Sequence, residues 1–396
     1  MKITVITDSS IYNPTAGVNR CVSLAKGLVA AGHDVDIFCL DACSAGSATG
    51  DLGGVQFRHA ASGIPSQNRW RRGWTVCVQY LGELNRFVKN TPTDAALVMV
   101  GKPWRVFLIL QVLARREIPG FTERNEYPFI LAPQIDTFLQ RQAVQWWYIK
   151  KMVPRMCGLA LMTKNLETYF RQVTPRCPPT IVIPMTVEPE RFETPGMSPF
   201  PFRYIGFCGV LTGTKDGVPI LVEAFGRIAA QFPDIRLVII GDNSDTKAIN
   251  DLRAIAEQYG AADRILFTGM ISRKEMPRYL GNAALLALSR PRTKQAEGGF
   301  PTKLGEYLAT GRPTVVTRVG EIPDYLEDGV HSFLAEPDDV DDFARALRTA
   351  LSDPAGAEQV GTCGRTLAHT VFDYRVQGKR LGNFMSGTMQ TPPLYT

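Results

Sequence analysis

Short β-branched runs alternate with stretches of helical periodicity along most of this chain, and that alternation constrains the fold more than any other feature. Ile3 to Thr7 reads as a strand, Asp8 to Gly17 as a polar loop, and Val18 to Ala31 as a helix stopped by Gly32. Asp34 to Leu40 resumes as a strand, followed by a strand over Ala95 to Val100, a helix over Val106 to Arg115 and a strand over Gly158 to Thr163. A strand that returns to its own sheet through a helix runs parallel to its neighbour, so the pattern predicts an α/β fold with parallel sheets covered by helices. The series then starts again. Strands are predicted over Tyr204 to Cys208, Ile235 to Ile240, Ile265 to Thr268, Ala284 to Leu288 and Thr314 to Thr317, with helices over Val218 to Gln231, Ala248 to Tyr259, Lys303 to Thr310 and Val340 to Leu351.

Between the two series lies a segment holding Pro184, Pro189, Pro195, Pro199 and Pro201, the natural place for a linker. A chain of 396 residues exceeds a usual single core. The expected organisation is therefore a Rossmann-like domain over 1–184, a linker over 185–202 and a second Rossmann-like domain over 203–376. A tail over 377–396, helical in its first part, is expected to pack back on the first domain. Residues 41 to 73, richer in Gly and Ser, are expected to form a surface region containing a strand.

Bulk properties remove several function classes. A net charge of +6 favours anionic ligands or an anionic membrane surface, and it is too diffuse for nucleic-acid binding. The eight cysteines contain no C-x-x-C pair and the four histidines lack ligand spacing, so no metal site is expected and buried free thiols are. The chain opens on a strand without a basic leader, and no run of about 18 apolar residues occurs, which points to the cytoplasm.

Ligands of paired parallel α/β domains bind at the carboxyl ends of strands, in the cleft between the domains, and three groups of residues fall at such ends. Gly17 precedes the first helix, where a glycine lets backbone approach an anion; the same glycine also suits a loop that needs only its conformation. The stretch Gly206 to Gly217 places Gly209 and Lys215 on a glycine-rich loop between a strand and a helix. Lys215 there can neutralise a diphosphate, or it is a solvated surface lysine. No Ser or Thr follows it, so the segment is not a P-loop.

The third group runs from Glu297 through Gly298, Gly299, Phe300, Pro301, Thr302, Lys303 and Leu304 to Glu306. A glycine loop entering a helix aims backbone N–H groups at phosphate oxygens, with the helix dipole adding to the attraction. Glu306, one turn further in, can accept hydrogen bonds from the vicinal hydroxyls of a ribose, and Glu297 can reach the transferred sugar.

These residues give the C-terminal half its resemblance to the retaining glycosyltransferases of family 4, within the glycosyl transferases group 1, whose two-Rossmann-domain architecture is called GT-B. The donor signature of that family is two glutamates separated by seven residues; here Glu297 and Glu306 are separated by eight because Gly298-Gly299 is doubled. Phe267-Thr268-Gly269-Met270 is similar to the family loop beside the nucleobase, and Gly320-Glu321-Ile322 to Gly329 and Glu336-Pro337-Asp338 match the stretch after the donor helix. Gly32-His33-Asp34-Val35 matches the junction between the family's opening helix and its second strand. Two departures stand out. The family's phosphate-binding arginine is replaced within Gly209-Val210-Leu211, leaving Lys215 alone or helped by Lys303 or Arg290. The family's histidine motif after the fifth strand is replaced by Glu123-Arg124-Asn125-Glu126-Tyr127-Pro128, where Glu126 or Arg124 binds an acceptor or forms a structural ion pair.

The resemblance implies transfer of a sugar from a UDP- or GDP-sugar to a hydroxyl of a glycan or lipid-linked acceptor, with retention and without a metal or other cofactor. Glu297, Lys215 and Glu126 are then the candidate catalytic residues, and domain closure about the linker is expected to exclude water. The competing readings are a silent sugar-nucleotide-binding protein and a GT-B epimerase or phosphorylase. Trp70-Arg71-Arg72-Gly73-Trp74 and Trp146-Trp147-Tyr148-Ile149-Lys150-Lys151 mix aromatics with cations as membrane-interface segments do; for the second, a buried amphipathic helix is the competing reading.

Overall fold

The computed structural model describes residues 1–13, 15–43, 46–62, 75–128, 138–211, 215–242 and 244–390. The chain divides into two compact units: Met1–Thr186 with Tyr374–Thr396, and Val187–Asp373.

In the first unit, β1 (Lys2–Thr7), β2 (Asp34–Cys43), β3 (Thr49–Asp51), β4 (Gln56–Ser62), β5 (Ala95–Met99), β6 (Gly120–Arg124), β7 (Gly158–Leu161) and β8 (Thr180–Val182) form one sheet in the order β3-β4-β2-β1-β5-β6-β7-β8. All pairs are parallel except β3 with β4. The strands β1, β5 and β7 are buried on both faces, which is why they read as near-continuous apolar runs. Ile3, Val5, Leu24, Leu28, Val35, Ile37 and Leu97 belong to the core under the helix Ala16–Ala30. Thr15 caps that helix, its hydroxyl accepting from Val18 N–H at 3.3 Å.

The strand β6 was not anticipated, because GFTER carries a threonine and a charged pair in five positions. Glu123 and Arg124, expected beyond the fifth strand, belong to it. Glu123 is buried against Arg20 of the first helix, with Nε to Oε1 at 2.5 Å, and the Arg20 guanidinium also donates to the carbonyls of Ile183 and Pro184 at 2.7 and 2.8 Å. This internal ion pair satisfies both charges and fixes the strand end to the segment that leaves the unit.

The chain returns to the first unit at Tyr374, and its helix Tyr374–Gln390 lies on the helix Ala16–Ala30. Backbones touch at the crossing: a Cβ on Gly27 would fall 2.1 Å from Tyr374 O, and one on Gly378 would fall 2.1 Å from the Gly27 carbonyl carbon. Leu381 and Met385 enter the core beside Phe121, and Phe384 meets Phe121 edge-on.

In the second unit, β9 (Arg203–Cys208), β10 (Ile235–Ile240), β11 (Ile265–Gly269), β12 (Leu285–Leu288), β13 (Thr314–Thr317) and β14 (Phe333–Ala335) form a wholly parallel sheet ordered β11-β10-β9-β12-β13-β14. The proline-rich segment divides. Ile183 and Met185 are buried in the first unit, whereas Val187 onward belongs to the second, where Val187 N–H donates to Phe372 O at 2.9 Å and Pro189–Phe192 forms a 3-10 turn.

Candidate functional site

The strand order fixes where the second unit can hold a ligand. From β9 the chain builds outward through β10 and β11, then crosses back to place β12 on the other side of β9. Strand order reverses between β9 and β12, and the crossovers on either side leave a crevice beyond their carboxyl ends. The segments leaving these ends are Gly209–Gly217 and Ser289–Pro291.

A buried carboxylate organises this place. Asp216 is 3% exposed; its Oδ2 accepts from Lys303 Nζ at 2.5 Å and from Val210 N–H at 3.1 Å. Asp216 thus joins the start of the β9 loop, its end, and the helix Thr302–Ala309. Ser289 Oγ donates to the carbonyl of Gly217 at 2.7 Å, tying in the end of β12. The arrangement depends on glycine at two positions. A Cβ on Gly209 would lie 2.3 Å from Lys303 Nζ and 2.7 Å from Asp216 Oδ2, and Gly217, with φ +65, has Ser289 O where a Cβ would be, at 1.9 Å. The Lys303 ammonium also lies 5.3 Å from the centre of the Phe207 ring.

The helix Thr302–Ala309 is anchored one turn further along. Cys208 N–H donates to Tyr307 Oη at 2.7 Å, and the buried Tyr307 phenol is pushed well above its usual pKa by loss of solvent. Burial likewise raises the Cys208 thiol to about 12. No side chain caps the helix start at Pro301. The Lys303 ammonium, offset by Asp216, and the partial positive charge of that uncapped end therefore meet at one strand end.

Glu306, on the same helix, pairs with Arg191 at 2.9 Å through Oε1. Arg191 comes from the 3-10 turn Pro189–Phe192 and also donates to Arg273 O at 2.8 Å, while Arg273 pairs with the buried Glu188. Arg191 and Asp216 escaped the sequence analysis. Arg191 sits in what reads as a linker, and Asp216 lies 87 positions from its cation. The only sequence signal for Asp216 was its place between Lys215 and the helix-opening Gly217.

The remaining candidates are distributed as follows. Lys215 is exposed beside Asp216. Glu297 does not precede an open glycine loop as expected; it lies exposed on the short helix Lys294–Gly298, capped by Thr293, and Gly299 N–H donates back to Gln295 O at 3.1 Å. The doubled glycine thus closes a helical turn. Phe300 packs against Tyr325 and Phe372, and Leu304 is fully buried, so these two positions face the core. Thr302 opens the helix that carries Lys303 and Glu306. Met270, 59% exposed, follows Gly269 at the end of the edge strand β11. Arg290 is buried just beyond β12, its carbonyl accepting from Thr317 at 2.6 Å.

Gly17 and Glu126 lie in the first unit. Gly17 is the second residue of the helix Ala16–Ala30, exposed, with no atom within 4 Å of an added Cβ. Glu126 follows β6 and is half-buried; Arg124 beside it donates to Val100 O at 3.0 Å and lies over the Tyr148 ring. Of the two aromatic–basic clusters, residues 70–74 lie outside the described residues. In the other, Tyr148 and Ile149 are buried, whereas Trp146 is 56% exposed with Lys151 over its ring.

Comparison with known proteins adds three findings. The family described as glycosyl transferases group 1 matches residues 202–353, the stretch that carries the crevice, so the resemblance read from the sequence is borne out there. The GDP-mannose-dependent alpha-(1-6)-phosphatidylinositol monomannoside mannosyltransferase of Mycolicibacterium smegmatis is 29% identical over 177 residues, which is 44% of this chain and 45% of that relative's length. The matched region is therefore less than half of either protein. Among solved structures, sucrose-phosphate synthase from Thermosynechococcus elongatus superposes with a TM-score of 0.75 at 15% identity, covering 98% of this chain and 99% of that one. Anabaena HepE in complex with UDP and glucose superposes with a TM-score of 0.72 at 15% identity, covering 98% and 100%. At that identity the likeness is one of fold: the chain has the GT-B class of architecture, with two Rossmann-like domains built on parallel sheets.

Proposed function

We propose that this chain is a retaining glycosyltransferase that moves a sugar from a nucleoside diphosphate sugar, with UDP or GDP as the nucleotide, to a hydroxyl of a glycan or lipid-linked acceptor. The observation that carries this reading is the Lys303–Asp216–Gly209 cluster at the switch point between β9 and β12. It offers an ammonium, an uncapped helix end and a neighbouring exposed lysine, Lys215, at the place where parallel α/β sheets take phosphates. The relatives support the choice of donor: one is named for its dependence on GDP-mannose and a structural neighbour was solved with UDP and glucose.

In the proposed reaction the bond between the anomeric carbon and the β-phosphate oxygen breaks, and the acceptor oxygen bonds to the same face of that carbon. The acceptor proton passes to the departing diphosphate. What the protein must supply is stabilisation of charge growing on that leaving group, a role suited to Lys303, Lys215 and the N–H groups of Thr302 and Lys303. Glu306 holds the ribose hydroxyls, Met270 borders the nucleobase, and Glu297 contacts the transferred sugar. On the acceptor side we assign Glu126, and the backbone at Gly17 is assigned to an anionic group, with exposed Trp146 and Lys151 resting on an anionic membrane surface.

The test is release of free nucleoside diphosphate from UDP- and GDP-sugars, with and without a cell-extract acceptor fraction. Release that depends on the acceptor supports a transferase. Tight donor binding with no turnover under any acceptor supports the silent binder instead.

A further inference from the structure

Glu306 is held before any ligand arrives, and the residue that holds it comes from the first turn after the chain enters the second unit. The Arg191 guanidinium is engaged on three sides. Nη1 donates to Glu306 Oε1 at 2.9 Å, Nη2 donates to the Arg273 carbonyl at 2.8 Å, and the group lies 5.1 Å from the centre of the Phe192 ring. Its backbone is fixed as well, since Arg191 N–H donates to Glu188 O at 3.2 Å and the Glu188 carboxylate pairs with Arg273. Two acid–base pairs, Glu188–Arg273 and Arg191–Glu306, thus bind the turn Pro189–Phe192 to the loop after β11 and to the helix Thr302–Ala309.

This has a chemical consequence for the carboxylate. An ionised carboxylate offers about four acceptor positions on two oxygens. Arg191 occupies Oε1, and among the described residues Oε2 takes no hydrogen bond. A planar guanidinium fixed at three points tethers Oε1 from one side, which narrows the range of directions open to Oε2. The pair also offsets a negative charge one helical turn from Lys303, where an unpaired carboxylate would repel a diphosphate.

Resting on the donor reading above, we propose that Arg191 is a positioning residue that presents Glu306 Oε2 to the ribose hydroxyls and so sets the protein's preference for ribonucleotides over 2′-deoxyribonucleotides. It touches no substrate atom itself. Its effect is on discrimination between two ligands that differ by one hydroxyl, which loss of fold stability does not change.

The experiment measures binding of UDP, 2′-deoxy-UDP, GDP and 2′-deoxy-GDP to the full chain by titration calorimetry. Wild type is expected to prefer the ribonucleotide roughly tenfold, the worth of one hydrogen bond to a charged group. Arg191→Met is expected to bring that ratio below about threefold while binding of both nucleotides weakens, because the carboxylate is left free to turn and unpaired. Arg191→Lys keeps the charge but loses the fork and is expected to fall between; it serves as the reporter if Arg191→Met does not fold. An unchanged ratio in a folded Arg191 variant overturns the proposal while leaving the donor reading intact. Failure of wild type to bind any of the four nucleotides overturns both.

Discussion

Removing either partner of the Lys303–Asp216 pair is predicted to destabilise the second unit, and by unequal amounts. Asp216 is 3% exposed, whereas the Lys303 side chain is 19% exposed. Lys303→Met strands a buried carboxylate with one remaining donor, Val210 N–H at 3.1 Å. Breaking a buried pair from one side costs about 3–5 kcal/mol, and the surviving hydrogen bond puts this variant near the lower figure. Asp216→Asn leaves an ammonium on a flexible stem that can turn to water, and the amide oxygen still accepts from Val210, so its cost is about 1–2 kcal/mol. In a unit of this size these figures correspond to roughly 6–12 °C and 2–8 °C in Tm. The double variant is expected to cost less than the sum of the singles by about 1–2 kcal/mol, because each single change already removes the pair. The assay follows from the distribution of tryptophan. All five lie between Trp70 and Trp147, within the range of the first unit, so fluorescence follows that unit while far-UV circular dichroism follows both. Urea unfolding of the variants should move the circular dichroism transition. Equal effects of the two singles, or a larger effect of Asp216→Asn, would refute the reasoning from burial.

Four further outcomes follow from other parts of the molecule. Gly378→Ala places a methyl 2.1 Å from the Gly27 backbone, and is expected to cost at least about 3 kcal/mol of first-unit stability, read by tryptophan fluorescence in urea. An unchanged midpoint would mean the two helices are not in backbone contact. Gly217→Ala combines a left-handed φ of +65 with a 1.9 Å approach to Ser289 O, and should lower second-unit stability by about 3 kcal/mol or more, against about 1–2 kcal/mol for Gly260→Ala, which bears the left-handed strain with open space around it. The Cys39 thiol, pushed up to about 12 by burial from an ordinary value of 9.0, should resist alkylation in the folded protein at pH 9, where exposed Cys363 reacts; because its folded pKa is raised, the stability it contributes is present below pH 9 and is lost as pH rises toward 12. Rapid labelling of Cys39 under native conditions would contradict its burial. Trp146→Ala with Lys151→Ala is expected to reduce flotation of the protein with vesicles containing anionic lipid, and wild type that fails to float removes the membrane contact altogether.

The regular parts of the fold were legible because parallel strands buried on both faces must be apolar throughout, so runs such as Leu237 to Ile240 leave little choice. Where burial is secured by pairing charges, the same signal fails. The strand β6 carries Glu123 inside the protein on the strength of Arg20, 103 positions away, and no local pattern announces such a match. The crevice was read in the same uneven way. The glycine, Lys303 and Glu306 positions stood out through local spacing on a loop and helix. Asp216 and Arg191, which hold those two side chains, are separated from them by 87 and 115 positions. Gly27 and Gly378, both inside helices, carried a usable signal of close approach, since glycine in a helix interior is costly unless backbone must pass nearby.

Whether the crevice between β9 and β12 holds a nucleoside diphosphate sugar is decided by calorimetric titration of a panel of UDP- and GDP-sugars into wild type, Lys215→Ala and Glu306→Ala. Wild type is expected to bind at least one donor saturably, and each variant to bind it about tenfold or more weakly through loss of a charged contact. No binding by wild type, or equal affinity in all three proteins, would contradict the donor reading.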